Sequence, residues 1–207
     1  MASAPDTTET RAATGAALRR AILDEARALL VRDGYDRLSM RRIATAVGCS
    51  ATSIYLHFDG KDALTHALID EGMAGLYAAL SEAHDAAPAS AMARLDAMSR
   101  AYVAYGLANP EYYEVMFQLH PERMARYPVE SYRRARRNVE IFAGALRDGA
   151  DAGELRVRTT PGMAAGVLWT ALHGLVSLTL AERVDRKEAG SAFLDAGVRQ
   201  ALAAFDR

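Results

Sequence analysis

Between Ser39 and Lys61, hydroxyls, arginines and rings recur at spacings that place them on two short helices. Ser39 and Ser50 each precede a short apolar-periodic run, where a hydroxyl can accept the unsatisfied N–H groups of a first helical turn. The first run, 40–47, carries Arg41. The second, 51–57, presents with its cap Ser50 the side chains of Ala51, Thr52, Ser53, Tyr55 and Leu56. Asp59 is placed to cap a further helix whose start holds Lys61, and that charge adds to a helix end that already attracts anions. Gly48-Cys49-Ser50 joins the two runs, and a steep pair of helices with a glycine-bearing turn is the helix-turn-helix arrangement. Ile43, Ala44, Val47 and Ile54 are the small or apolar residues expected to hold the pair together. Such a surface suits DNA: small residues let a helix approach base edges, hydroxyls bond phosphates or bases, and Arg41 reaches the groove edge or a phosphate.

Other side chains with chemical potential lie further along. Tyr102, Tyr105, Tyr112, Tyr113, Met116, Phe117 and His120 are amphipathic or soft and suit a pocket of adaptable shape with a few polar anchors. They suit an ordinary aromatic core equally. Phe142, Trp169 and His173 complete the candidate pocket. Trp169 and His173 are four apart and share a helix face, lining either that pocket or a subunit seam. Arg133, Arg134, Arg136 and Arg137 read as a solvated face paired with Glu130 and Glu140 rather than a nucleic-acid patch. Cys49 is a lone small residue in a helix turn, better read as packing than as a redox sensor. No HExxH, GxSxG, P-loop or GxGxxG occurs, so neither an enzyme nor a resident metal or cofactor is expected.

The elements that must position these residues are helical. The 207 residues are 51% hydrophobic and 25% charged, enough for one large or two small cores. Apolar residues recur at three and four spacing, with no period-two runs, so the expected fold is all-α with about nine to ten helices. Residues 1–13 are expected to be a disordered tail. Helices follow at about 15–34, 40–47, 51–57, 60–83, 89–108, 111–118, a short turn from Pro121, 128–149, 161–183 and 186–205. The stretch 162–181 is the most apolar, interrupted by His173 and glycines, and reads as a buried helix. One cysteine excludes an internal disulfide framework. No signal-peptide pattern opens the chain, so a cytoplasmic location is expected.

Charge is uneven. The formal net charge is only -1, yet residues 11–66 sum to +3. A basic head on a mildly acidic body fits a binding domain attached to a non-binding one. Non-specific electrostatic binding should be modest, with affinity depending on two heads engaging one duplex.

The run Leu38-Ser39-x-Arg41-x-Ile43-Ala44, Val47-Gly48-x-Ser50, Ile54-Tyr55-x-His57-Phe58, Lys61-x-x-Leu64 resembles the DNA-binding domain of the TetR/AcrR family of transcriptional regulators over about residues 15–65. Cys49 stands where that family usually has an aliphatic residue, and Gly60 where Ser or Asn is common. The resemblance implies a three-helix DNA-binding domain (14–65), a regulatory and dimerisation domain (66–207), and a homodimer on a palindromic operator that a small, largely apolar ligand releases. It implies phosphate contacts from Tyr55, His57 and Lys61, with Arg41, Ala51, Thr52, Ser53 and Leu56 near bases and Ser39 and Ser50 beside them. Trp169-x-x-x-His173-Gly174 resembles the signature of a Trp-x-x-x-His-Gly subgroup, in which Gly174 would admit a close helix. The last two helices would form the dimer seam through Leu168, Leu172, Leu175, Leu178, Leu194, Val198 and Leu202. A DNA-binding regulator without a small-molecule inducer, an activator or one controlled by a protein, is the alternative.

Overall fold

The computed structural model describes residues 7–118, 126–185, 187 and 190–206, with side chains from residue 15. Among these the protein is all-helical: α1 (Thr7–Asp33), α2 (Met40–Val47), α3 (Ala51–Tyr55), α4 (Lys61–Ala86), α5 (Ala91–Ala108), α6 (Pro110–Phe117), α7 (Val129–Asp151), α8 (Pro161–Leu180) and α9 (Ser191–Leu202), then a 3-10 turn, Ala203–Phe205. Most lie within three residues of the expected positions. The largest difference is α1, which starts at Thr7 and makes helical a stretch, 7–13, expected to be disordered. Ala12 and Ala13 carry high helix propensity into it. α3 closes at Tyr55, leaving Leu56 as its C-cap and His57 beyond it. α4 starts at Lys61, with the Gly60 carbonyl accepting Leu64 N at 3.1 Å, so Gly60 and not Asp59 stands at its N-cap. The turn expected from Pro121 lies outside the described residues.

Two compact units emerge. The first comprises residues up to Ile69 together with Glu111–Tyr127. The second comprises Asp70–Pro110 and Pro128–Arg207. The expected division at 65/66 therefore falls inside α4, and a segment distant in sequence joins the N-terminal unit. Arg27 anchors that segment: its Nε donates to Glu111 Oε2 at 2.9 Å, and the same guanidinium lies 4.5 Å over the Tyr112 ring.

In the first unit, α1 packs on α2 and α2 on α3. Ile22, Ala26 and Leu30 from α1 meet Ile43 and Ala44 from α2 and Ile54 from α3 in a core closed to water. In the second unit, α7 and α8 pack most extensively, and α5 lies against α7, α8 and α9. Tyr102, Phe142, Leu146 and Leu172 are fully buried there. α8 and α9 approach closely at Gly197, where a Cβ would run into the Leu175 side chain. At Gly174, the glycine expected to admit a helix, a Cβ would meet nothing within 4 Å. The arginine run on α7 forms the pairs expected of it: Arg133 with Glu130, and Arg136 with Glu140 at 3.6 Å.

Candidate nucleic-acid interface

Both caps form. Ser39 Oγ accepts Arg42 N at 3.3 Å, and Ser50 Oγ accepts Ser53 N at 3.1 Å. Between them Gly48 takes φ +77°, left-handed backbone that a side chain opposes, and its N–H bonds the Ala44 carbonyl at 3.0 Å. This sharp stop aims α3 away from α2.

The surface around α3 is open. Ala51, Thr52, Tyr55 and Leu56 are exposed, and Ser53 and His57 are half-buried. Tyr55 is 55% and Leu56 81% exposed, although Ile54 beside them is fully buried. Period 3.6 turns Tyr55 about 100° and Leu56 about 200° away from the core anchor, so Leu56 lies nearly opposite it. Arg41 is exposed on α2 with its guanidinium in no ion pair among the described residues. A cleft of about 390 Å³ beside it is lined by Leu29, Arg32, Ser39, Arg42 and Thr45. Arg42 acts structurally instead, donating to Asp33 at 2.5 Å and to the Arg37 carbonyl at 2.8 Å and so clamping α2 to the end of α1. Hydrogen bonds from Arg32 and then Arg42 hold the Asp33 carboxyl pKa down to about 2.

Lys61 is less free than its sequence position suggests. Its Nζ donates to the Tyr35 carbonyl at 3.2 Å and lies 3.9 Å over the Tyr35 ring, whose hydroxyl in turn meets Asp62. Arg19 covers Phe58 from 5.0 Å. Sequence reasoning missed these two cation–ring supports, because nothing in local spacing pairs residues 26 or 39 apart.

The expected pocket residues divide between the units. Tyr113, Met116 and Phe117 belong to the first, with Tyr113 and Phe117 rings 4.8 Å apart. Tyr102, Tyr105, Phe142, Trp169 and His173 belong to the second. His120 lies outside the described residues. Within the second unit Trp169 Nε1 donates to Tyr102 Oη at 3.0 Å, and the Trp169 and His173 rings lie 5.5 Å apart. His173 Nε2 is 3.2 Å from Ser177 Oγ, and burial pushes the imidazole pKa down, toward the neutral form. Tyr105 donates to the Gly72 carbonyl at 2.9 Å. Two buried polar atoms that sequence reasoning did not single out, Ser99 Oγ and Asn138 Oδ1, have no hydrogen-bond partner among the described residues.

The expected seam residues also separate. Leu168, Leu172, Val198 and Leu202 are buried by their own chain, so they cannot present a free face. Leu175 and Leu194 are half-buried, and Leu178 is 52% exposed. The open apolar positions of α8 are instead Met163 and Val167, each 62% exposed, continuing through Ala171 to Leu178. α8 is also long and apolar enough, by composition alone, to cross a membrane. It is therefore buried along one side only, not all round as its sequence suggests.

Comparison with known proteins accords with this architecture. The family model for bacterial regulatory proteins of the tetR family matches residues 22–68, and that for the tetracyclin repressor-like C-terminal domain matches residues 95–201. An HTH-type transcriptional repressor of Mycobacterium tuberculosis, Rv1474c, is 48% identical over 56 residues, a stretch covering 27% of this chain and only 30% of that repressor. A Rhodococcus sp. RHA1 protein of unknown function shares the fold with a TM-score of 0.78 and 26% identity, over 92% of this chain and 96% of its own. A tetR-family regulatory protein from Rhodococcus RHA1 superposes with a TM-score of 0.72 at 23% identity, over 91% and 97% of the two chains. With a helix-turn-helix head matched by one model and over half the chain by the other, the protein belongs to the tetR family of DNA-binding transcriptional regulators.

Proposed function

We propose that this regulator is a homodimeric repressor that binds a palindromic operator and is released by a small, largely apolar ligand. In this reading residues 14–65 are the DNA-binding head and residues 66–207 the regulatory and dimerisation part. The observation that carries it is the open surface of α3 with the exposed Arg41 beside it. Ser39, Arg41, Ser50, Ala51, Thr52, Ser53, Tyr55, Leu56, His57 and Lys61 form the DNA-facing set, with Lys61 holding its turn as well as facing phosphate. Two such heads about 34 Å apart enter successive major grooves of one duplex.

Dimerisation is supported by the exposed Met163, Val167 and Leu178 on α8, a stripe that a second copy would cover. The reading includes a cytoplasmic location, and a covered stripe accounts for so apolar a helix there. Ligand release is supported by polar groups set in the apolar core of the second unit: the Trp169–Tyr102 bond, His173, whose pKa burial lowers, and the Ser99 and Asn138 oxygens. Such groups are the anchors a mostly apolar site needs. The Trp169-x-x-x-His173-Gly174 motif fits the subgroup it resembles. A ligand that prefers a different spacing of the heads lowers operator affinity by its differential affinity for the two states.

The test is operator binding followed by titration. Arg41→Ala and Tyr55→Ala should each weaken binding of the selected duplex with the fold intact by circular dichroism. Unchanged affinity in both removes the recognition surface. Retention of the duplex against a broad panel of apolar compounds at high concentration removes ligand release and leaves a regulator controlled otherwise.

A further inference from the structure

The open surface of α3 is largely apolar. Ser50 Oγ and Ser53 Oγ lie 2.8 Å apart, and Ser50 also caps the helix, so one of the two O–H groups is spent on the other. What faces water is the Ala51 methyl, Thr52, the Tyr55 ring and the Leu56 side chain, which at 81% is the most exposed large apolar group among the described residues. Residues 40–58 contain no Asn, Gln, Asp or Glu. Bidentate reading of adenine takes a carboxamide, and reading of the cytosine amino group takes a carboxylate. Neither is available from α2 or α3. Arg41 supplies a guanidinium suited to guanine, while the Thr52 and Tyr55 hydroxyls suit phosphates or either base without discriminating strongly. The one base feature in the major groove that an aliphatic surface selects is the thymine C5-methyl.

We infer that α3 reads thymine through its 5-methyl group, with Leu56 as the side chain that contacts it. The inference rests on the assignment of α3 as the element that enters the groove. Leu56 is the C-cap of α3 and keeps helical backbone (φ −70°, ψ −18°), so it extends the exposed face by one position. Its exposure makes it replaceable without loss of fold. Arg41 and Leu56 together then favour guanine and thymine, while these two helices offer adenine no carboxamide and cytosine no carboxylate.

The experiment uses the full-length protein and a duplex it selects from random-sequence DNA. Each thymine of a half-site is replaced singly by deoxyuridine, which lacks only the methyl group. At the position under Leu56 the replacement should weaken binding about fourfold, the effect of one buried methyl-sized group, and elsewhere it should have little effect. Leu56→Ala should weaken binding of the thymine duplex and bind thymine and deoxyuridine duplexes equally, whereas Leu56→Met should keep the discrimination. Indifference of the wild type to every deoxyuridine, or full discrimination retained by Leu56→Ala, overturns methyl reading while leaving α3 as the DNA-facing element. If no duplex is selected, or Arg41→Ala and Tyr55→Ala bind as wild type does, the assignment of α3 falls and methyl reading with it.

Discussion

Asp33, the last residue of α1, accepts Arg42 Nη2 of α2 at 2.5 Å while also accepting Arg32 Nε at 3.1 Å. The pair joins the end of the long helix to the helix that precedes α3, so the orientation of the reading surface depends on it. The carboxyl pKa is held down to about 2, below its unfolded value of about 4. A depressed carboxylate contributes stability above the unfolded value and loses it as pH falls through the folded one. Asp33→Asn should therefore lower the Tm at pH 7, and the difference from wild type should vanish between about pH 4 and pH 2. A pH-independent difference in thermal melts would refute the ion pair as its cause.

In the second unit the Trp169–Tyr102 hydrogen bond links α8 to α5. Tyr102→Phe keeps the ring volume and removes the acceptor. It should destabilise by about 1 kcal/mol, the net worth of one hydrogen bond, with m unchanged in urea unfolding. A blue shift of the single tryptophan's fluorescence should accompany the loss of the polar partner.

Two helix glycines should respond with opposite sign. At Gly144 on α7 a Cβ meets nothing, so Gly144→Ala should stabilise by about 0.5–1 kcal/mol through helix propensity. At Gly197 the same methyl runs into the Leu175 side chain, with Cδ1 at 2.8 Å. Gly197→Ala should cost about 1–3 kcal/mol from overpacking, partly offset by propensity. Equal effects in chemical denaturation would refute the close approach of α8 and α9.

The two sides of α8 should also separate. Leu172 is fully buried, and Leu172→Ala should cost about 2–5 kcal/mol. Val167 is 62% exposed, and Val167→Glu should leave the fold intact but shift a light-scattering mass from dimer toward monomer. A dimer unaffected by Val167→Glu would place the seam elsewhere.

The helices and the turn chemistry were legible from local sequence. Ser39, Gly48 and Ser50 act through neighbours three or four residues away, and local spacing carries that information completely. Burial at period 3.6 likewise marked Ile43 and Ile54 as core. Packing, by contrast, settles which face of an apolar helix is left open and which polar groups are already engaged. Leu168, Leu172 and Val167 look alike along α8, and the packing of α5, α7 and α9 alone distinguishes them. Lys61 reads as a free cation in sequence, yet Tyr35 holds it, and nothing in local sequence pairs Arg27 with Glu111. These contacts join residues 26 to 84 apart, and their energy depends on positions that no local period encodes.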